Sequence, residues 1–150
     1  MEKAMRVKLD RDAHLPTRAH RTDAGLDLYS REDKTIYPAQ CIREQLTEHA
    51  ECFDTGVHIE LPRGCYGKIE SKSGLNVNYS VVSCGGVIDE GYTGSIVVKL
   101  YNMGTYPYTV HKGDKIAQLV IMPYLTPSIV IARELEDTER GEKGFGSTGR

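Results

Sequence analysis

Four stretches of this 150-residue chain bring together residue types that could do chemistry. Asp27 lies between Leu26 and Leu28 in Thr22-Asp-Ala-Gly-Leu-Asp-Leu28. A carboxylate in an apolar strand is costly to desolvate unless it is paired or positioned for work; the alternative is a strand aspartate that faces outward. In Glu70-Ser-Lys-Ser-Gly-Leu75, Lys72, the Ser73 hydroxyl and the N–H groups near Gly74 could grip phosphate oxygens, and the same serines and glycine also suit an ordinary turn. Gly85-Gly-Val-Ile-Asp-Glu-Gly-Tyr-Thr-Gly94 reads as a hairpin that sets an acid, Asp89, three residues before an aromatic, Tyr92; a plain turn would use the same Asp and Gly residues. The fourth stretch is the tail, Arg140-Gly-Glu-Lys-Gly-Phe-Gly-Ser-Thr-Gly-Arg150. Its glycines leave backbone N–H groups free for an anion, Ser147 and Thr148 add hydroxyls, and Arg140 offers a phosphate fork. Phe145 is a lone aromatic suited to stacking on a planar base. The other reading of the tail is an ordinary frayed terminus.

The elements that must hold these residues are strands. Apolar and β-branched runs over residues 57–61, 65–69, 95–101, 108–110, 116–122 and 129–131 are separated by Gly and Pro, a spacing that predicts an all-β barrel or sandwich. Residues 40–52 are compatible with a short helix, with Ile42, Leu46 and His49 or Ala50 at helical spacing. After Ala132 the chain becomes charged and then glycine-rich, so residues 1–132 are expected to form a β core and 133–150 a mobile arm within a single domain.

Composition sets limits on partners. With 39% hydrophobic and 27% charged residues the chain reads as globular, and its net charge of −2 supplies no field for long nucleic acid. No stretch has the length and apolarity of a spanning helix, and the first residues lack a signal-peptide core, so no membrane partner is expected and a cytoplasmic location is. Cys41, Cys52, Cys65 and Cys84 form no CxxC pair, and the five histidines have no ligand spacing, so reduced thiols and no protein-held transition metal are expected.

Taken in order, Ala24-Gly-Leu-Asp-Leu28, Ser71-Lys-Ser-Gly-Leu75, Gly86-Val-Ile-Asp-Glu-Gly-Tyr-Thr-Gly94, Gly113-Asp-Lys-Ile-Ala-Gln-Leu119 and Arg140-Gly-Glu-Lys-Gly-Phe-Gly-Ser-Thr-Gly149 resemble the five motifs of the homotrimeric dUTPases. The resemblance implies a jelly-roll-like β fold, a trimer with sites between subunits, and Mg²⁺-dependent hydrolysis of dUTP to dUMP and pyrophosphate. It implies Asp89 as general base toward a water aimed at the α-phosphorus, with Gln118 placing that water. Lys72, Ser73 and Gly74 would hold phosphates, and Asp27 would meet Mg²⁺ through its waters. Ser83, Gly86, Val87 and Ile88 would read uracil, and Tyr92 would exclude a 2'-hydroxyl. From another subunit, Phe145 would stack on the base, while Arg140, Gly146, Ser147 and Thr148 would close over the phosphates. Lys72 and Lys115 stand where the family usually has Arg, Ser83 where many relatives have Asn, and the stretch 41–51 is longer than usual.

Two other functions follow from the same resemblance. A dCTP deaminase of this fold carries a catalytic Glu in a strand similar to Ile96-Val-Val-Lys-Leu-Tyr-Asn102, where this chain has Lys99; the acid/base needed for deamination is missing. A dUTPase-like regulatory protein would bind a partner protein, for which the 41–51 stretch is a candidate surface.

Overall fold

Alternating apolar residues close into a two-layered β structure around one core. The computed structural model describes residues 4–39, 41, 42, 45, 46, 49–84, 86–139, 141 and 142. Its strands are β1 (Arg6–Leu9), β2 (Gly25–Tyr29), β3 (Lys34–Ile36), β4 (Cys41–Ile42), β5 (Gln45–Leu46), β6 (Ala50–Asp54), β7 (Val57–Glu60), β8 (Cys65–Glu70), β9 (Val81–Ser83), β10 (Val87–Ile88), β11 (Val97–Asn102), β12 (Tyr108–Val110) and β13 (Lys115–Pro123). The short helix α1 (Ser73–Tyr79) lies between β8 and β9. A four-stranded sheet has the order β10-β8-β13-β2 and a three-stranded sheet the order β6-β11-β9; β1-β7, β12-β3 and β4-β5 form two-stranded ladders. Every pairing is antiparallel. The arrangement is the all-β, jelly-roll-like fold that the sequence predicts.

Burial follows the strand period. In β8, Cys65, Gly67 and Ile69 turn inward while Tyr66, Lys68 and Glu70 turn out. In β11, Val98, Leu100 and Asn102 are buried. Leu28, Ile69 and Leu119 from the larger sheet join Phe53, Val98 and Leu100 from the smaller one in a single cluster. The buried Asn102 is satisfied by donating 2.8 Å bonds to the carbonyls of Ile36 and Tyr106 and accepting one from the Gly104 N–H.

Three expectations about elements fail. Within residues 40–52 the described positions form β4, β5 and the start of β6 instead of a helix, because Phe53 and its neighbours pair with β11 and tertiary pairing outweighs weak helical spacing. The 85–94 stretch is not a closed hairpin: β10 pairs with β8, whereas β11 leaves to pair with β6 and β9. Residues 129–131 make no strand in the single chain, and Ile129, Val130 and Ile131 are almost fully exposed. Conversely, α1 is unexpected from its Gly, two Asn and β-branched Val, all weak helix formers.

Phe53 is fully buried between the layers. Phe53→Ala is expected to cost about 3–5 kcal/mol, read as a lower urea midpoint with an unchanged slope.

Candidate active site

The site begins with a row of three side chains across the larger sheet. Gln118 pairs with Asp27 on one side and with Glu70 on the other, so all three lie on the face opposite Leu119. Asp27 is 4% exposed, although it lies on the face turned from the core residues Leu26 and Leu28. Its two oxygens meet two ammonium groups: Lys72 Nζ at 2.5 Å from Oδ1 and Lys115 Nζ at 2.7 Å from Oδ2. Asp27 thus faces away from the core leucines, and it is also desolvated and paired.

A bulge makes the second contact possible. Ala117 pairs with Leu28 and Lys115 with Tyr29, which leaves Ile116 as an extra residue in β13. Ile116 and Ala117 are consequently both buried, and Lys115 is shifted onto the face of Asp27. Burial pushes the Asp27 carboxyl pKa up, yet hydrogen bonds and charge from Lys115 and Lys72 outweigh it and hold it below the ordinary 3.8. The Lys115 ammonium is held above its ordinary value by the same bond. One carboxylate meets two ammoniums here, and Asp23 adds a second carboxylate to the wall of the adjoining cavity.

The phosphate-type turn sits beside this row. Lys72 is extended (φ −77, ψ 124), and α1 starts at Ser73, its first helical bond running from the Asn76 N–H to the Lys72 carbonyl. The amides of Ser73, Gly74 and Leu75 thus have no intrahelical acceptor. Gln118 Nε2 donates to the Ser71 carbonyl at 3.0 Å, fixing the side chain under that turn. Ser71 Oγ donates to the Ser83 carbonyl at 3.1 Å and accepts the Ser83 N–H at 2.9 Å. Ser83 is thereby joined to the turn. Asp27, Lys72 and Gln118 line a cavity of about 340 Å³ together with Ala19, Gly25 and Val120.

Asp89 and Tyr92 belong to another place. The Tyr92 N–H donates to the Asp89 carbonyl at 3.0 Å, so the two residues bracket one tight turn, with Asp89 exposed. They line a cavity of about 280 Å³ with Gly86, Val87 and Ile88. Ile88 sends its side chain into the core, leaving its backbone to the cavity. Gly86 has φ +113, and a Cβ there would lie 2.8 Å from Ile69, so this close approach of backbone to β8 needs glycine. The two cavities share no lining residue. Arg140, Phe145, Gly146, Ser147 and Thr148 lie outside the described residues.

The residue that sequence reasoning left without a role is Lys115. Its signals were its type and its place in the fourth motif, and the bulge that turns it toward Asp27 is invisible in the spacing. Among the described residues no group of three or more His, Cys, Asp or Glu could hold a metal ion, and no helix is long and apolar enough to cross a membrane.

Comparison with known proteins points one way. A family model described as dUTPase matches residues 11–149. The human mitochondrial deoxyuridine 5'-triphosphate nucleotidohydrolase is 41% identical over 144 residues, covering 96% of this chain; the chain spans 54% of that protein's length. A mutant dUTPase of Staphylococcus bacteriophage 80alpha, solved with dUpNHpp, superposes with a TM-score of 0.87 at 31% identity, covering 99% of this chain and 100% of the phage chain. A mutant dUTPase from S. aureus phage phi11, solved to describe coordination of a structural Mg(II) ion, has a TM-score of 0.78 at 27% identity, covering 89% of this chain and 99% of its own.

Asp27→Asn should lower stability at pH 7 by about 1–3 kcal/mol, because the carboxylate charge is lost and one of the two lysines faces an NH2 group, while both lysines are exposed enough to turn to water. Since the folded carboxyl titrates below its ordinary value, its contribution is complete above pH 3.8 and is lost as pH falls through the lowered value. Urea titrations from pH 7 to 2 should therefore converge for the two proteins at the acid end.

Proposed function

The chain belongs to the dUTPase family of deoxyuridine 5'-triphosphate nucleotidohydrolases, and we propose that it cleaves dUTP to dUMP and pyrophosphate with Asp89 as the general base. Asp89 takes a proton from a water that attacks the α-phosphorus in line, and Gln118 orients that water. No covalent intermediate is involved. Acceleration comes from alignment and from donors aimed at the departing charge: Lys72, the Ser73 hydroxyl and the free amides at Ser73 and Gly74. The observation that carries this reading is the pair of ammoniums, Lys72 and Lys115, held on buried Asp27 beside a turn whose first amides have no intrahelical acceptor.

Substrate choice divides between base and sugar. Backbone groups of Ser83, Gly86, Val87 and Ile88 pair with the uracil edge, and their tight seat against β8 excludes a 5-methyl group. Tyr92 packs on the deoxyribose and leaves no space for a 2'-hydroxyl.

Mg²⁺ fits the donor set. A carboxylate has about four acceptor sites, and the two lysines occupy two of those on Asp27. The remainder can accept hydrogen bonds from water on a hard cation that keeps several waters and binds phosphate oxygens directly. When bound, Mg²⁺ supplies neutralisation of triphosphate charge.

A homotrimer completes the site in this reading. Asp89 and Asp27 line separate cavities in one chain, so a second copy brings a base turn to a phosphate cradle. Beyond β13, Leu125, Ile129, Val130, Ile131 and Leu135 are more than 80% exposed, and so much apolar surface calls for cover by a neighbouring subunit. Residues 133–150 then form the arm, with Arg140, Phe145, Gly146, Ser147 and Thr148 closing a neighbour's site and excluding water. The cytoplasm, where thiols stay reduced, is the compartment assigned. Deamination of dCTP is disfavoured: Lys99 stands in the place of the acid/base, its ammonium over the Tyr101 ring at 5.4 Å.

The central test is pyrophosphate release from dUTP, UTP, dTTP and dCTP, each with and without Mg²⁺. Release from dUTP alone and only with the metal is expected; ammonia from dCTP at an enzymatic rate would refute the reading. Asp89→Asn should lower kcat by about 10²–10⁴-fold with nucleotide binding retained. Removal of residues 140–150 should cripple turnover while leaving the thermal transition of the β core in place, and an unchanged rate after truncation would exclude the arm's role.

A further inference from the structure

The turn that carries Tyr92 is held from behind by polar side chains that belong to none of the five motifs. Arg31, just after β2, donates from Nη2 to Asp54 Oδ2 at 2.8 Å and from Nε to the Asp54 carbonyl at 3.0 Å. The other oxygen of Asp54 accepts a short hydrogen bond from the Ser95 hydroxyl and the Gly56 N–H at 3.0 Å. Arg31 Nη1 also lies 4.0 Å from Asp10. Asp10 Oδ1 is 3.2 Å from His58 Nε2, and His58 Nδ1 donates to the Thr93 carbonyl at 2.9 Å.

Both ends of the network therefore grip the same three-residue segment, Thr93 to Ser95. Thr93 is held through His58 and Ser95 through Asp54, with Gly94 between them. The Ser95 carbonyl in turn accepts the Tyr92 hydroxyl at 3.0 Å, and the Tyr92 ring lies over Gly94, where any Cβ would collide with it. Space for the hub is reserved by Gly56: it has φ +64, and a Cβ there would lie 2.9 Å from the Arg31 guanidinium. The Ser95 hydroxyl bond reinforces the hub further, being the leading cause that holds the Asp54 carboxyl below its ordinary value.

We propose that Arg31 is a positioning residue for substrate selection: through Asp54–Ser95 and Asp10–His58–Thr93 it fixes the Tyr92 ring, and so sets how strongly deoxyribonucleotides are preferred over ribonucleotides. This rests on the reading of Tyr92 as the residue that faces the sugar. The physical reason is that exclusion of a hydroxyl by contact demands a wall that does not yield. A ring on a loose turn retreats and admits the larger sugar, whereas the phosphate cradle at Asp27, Lys72 and Gln118 shares no residue with the network and keeps its geometry.

The test compares kcat/KM for dUTP and UTP in the wild type, Arg31→Met, Arg31→Lys and Ser95→Ala, with amide hydrogen exchange on the same proteins. Arg31→Met and Ser95→Ala should reduce the dUTP-over-UTP preference about tenfold or more, chiefly by raising activity on UTP. Exchange at residues 91–96 should quicken while β8 and β13 keep their protection. Arg31→Lys, which keeps the charge and loses the fork, should fall between. An unchanged preference, or parallel losses on both nucleotides, would overturn the proposal. Should Arg31→Met not fold, Ser95→Ala removes one hydroxyl and decides the question. A wild type that hydrolyses neither nucleotide would overturn the Tyr92 reading; the exchange data would still decide whether Arg31 holds the turn.

Discussion

A buried carboxylate answered by two lysines organises one half of this molecule. Asp27 cannot sit desolvated between two core leucines without partners, and its partners come from two distant parts of the chain, the turn after β8 and the start of β13. Satisfying one charge therefore fixes three elements together. Lys72 is drawn over the sheet and α1 begins immediately behind it; the bulge at Ile116 is what allows Lys115 to reach the same oxygen pair. The two ammoniums are thereby fixed on one carboxylate at the edge of the cavity. Lys72 and Lys115 contribute compact point charges and not planar forks.

The other half depends on backbone. β10 is only two residues long and adds to the edge of β8, yet it directs the strip from Ser83 to Ile88 across from one sheet to the other. Ser71 stitches that strip to the phosphate turn through three contacts with Ser83. Backbone that is pinned in this way can present N–H and C=O groups to a base edge with little reorganisation, the condition for discriminating uracil from its relatives. Asp89 and Tyr92 follow at once on a turn that the Arg31 network supports from the opposite side. The Asp27 cradle and the Asp89–Tyr92 turn are thus held by different polar networks. That separation lets one be altered without the other.

Much of the scaffold was legible because strand burial repeats every second residue. The run 108–110 matches β12 residue for residue, the runs at 57 and 65 differ from β7 and β8 by one residue at an end, and the run at 116 falls one residue short of β13 at each end. The failures have physical causes. Residues 40–52 carried helical spacing too short to resist pairing within β4–β5 and of β6 with β11. Residues 129–131 have strand composition, but a strand needs a partner, and a single chain offers none. The helix at Ser73 forms from poor helix formers, with Leu75 packed on the core, Ser71 before it bonded to Ser83 of β9 and Ser80 after it accepting the Met103 N–H.

What the amino-acid order determined by itself was the family's chemistry: which carboxylates, serines, glycines and aromatics are present, and in what succession, since local motifs depend on residue type and near neighbours. Tertiary structure alone decided their distances. Only β-pairing puts Gln118 beside Asp27 across 91 positions of chain, only a bulge turns Lys115 to the same face, and only packing joins Arg31 through Asp54 to Ser95. It also decided that Asp27 and Asp89 line different cavities of one chain, because a sheet fixes what lies side by side through register, which no spacing along the sequence encodes.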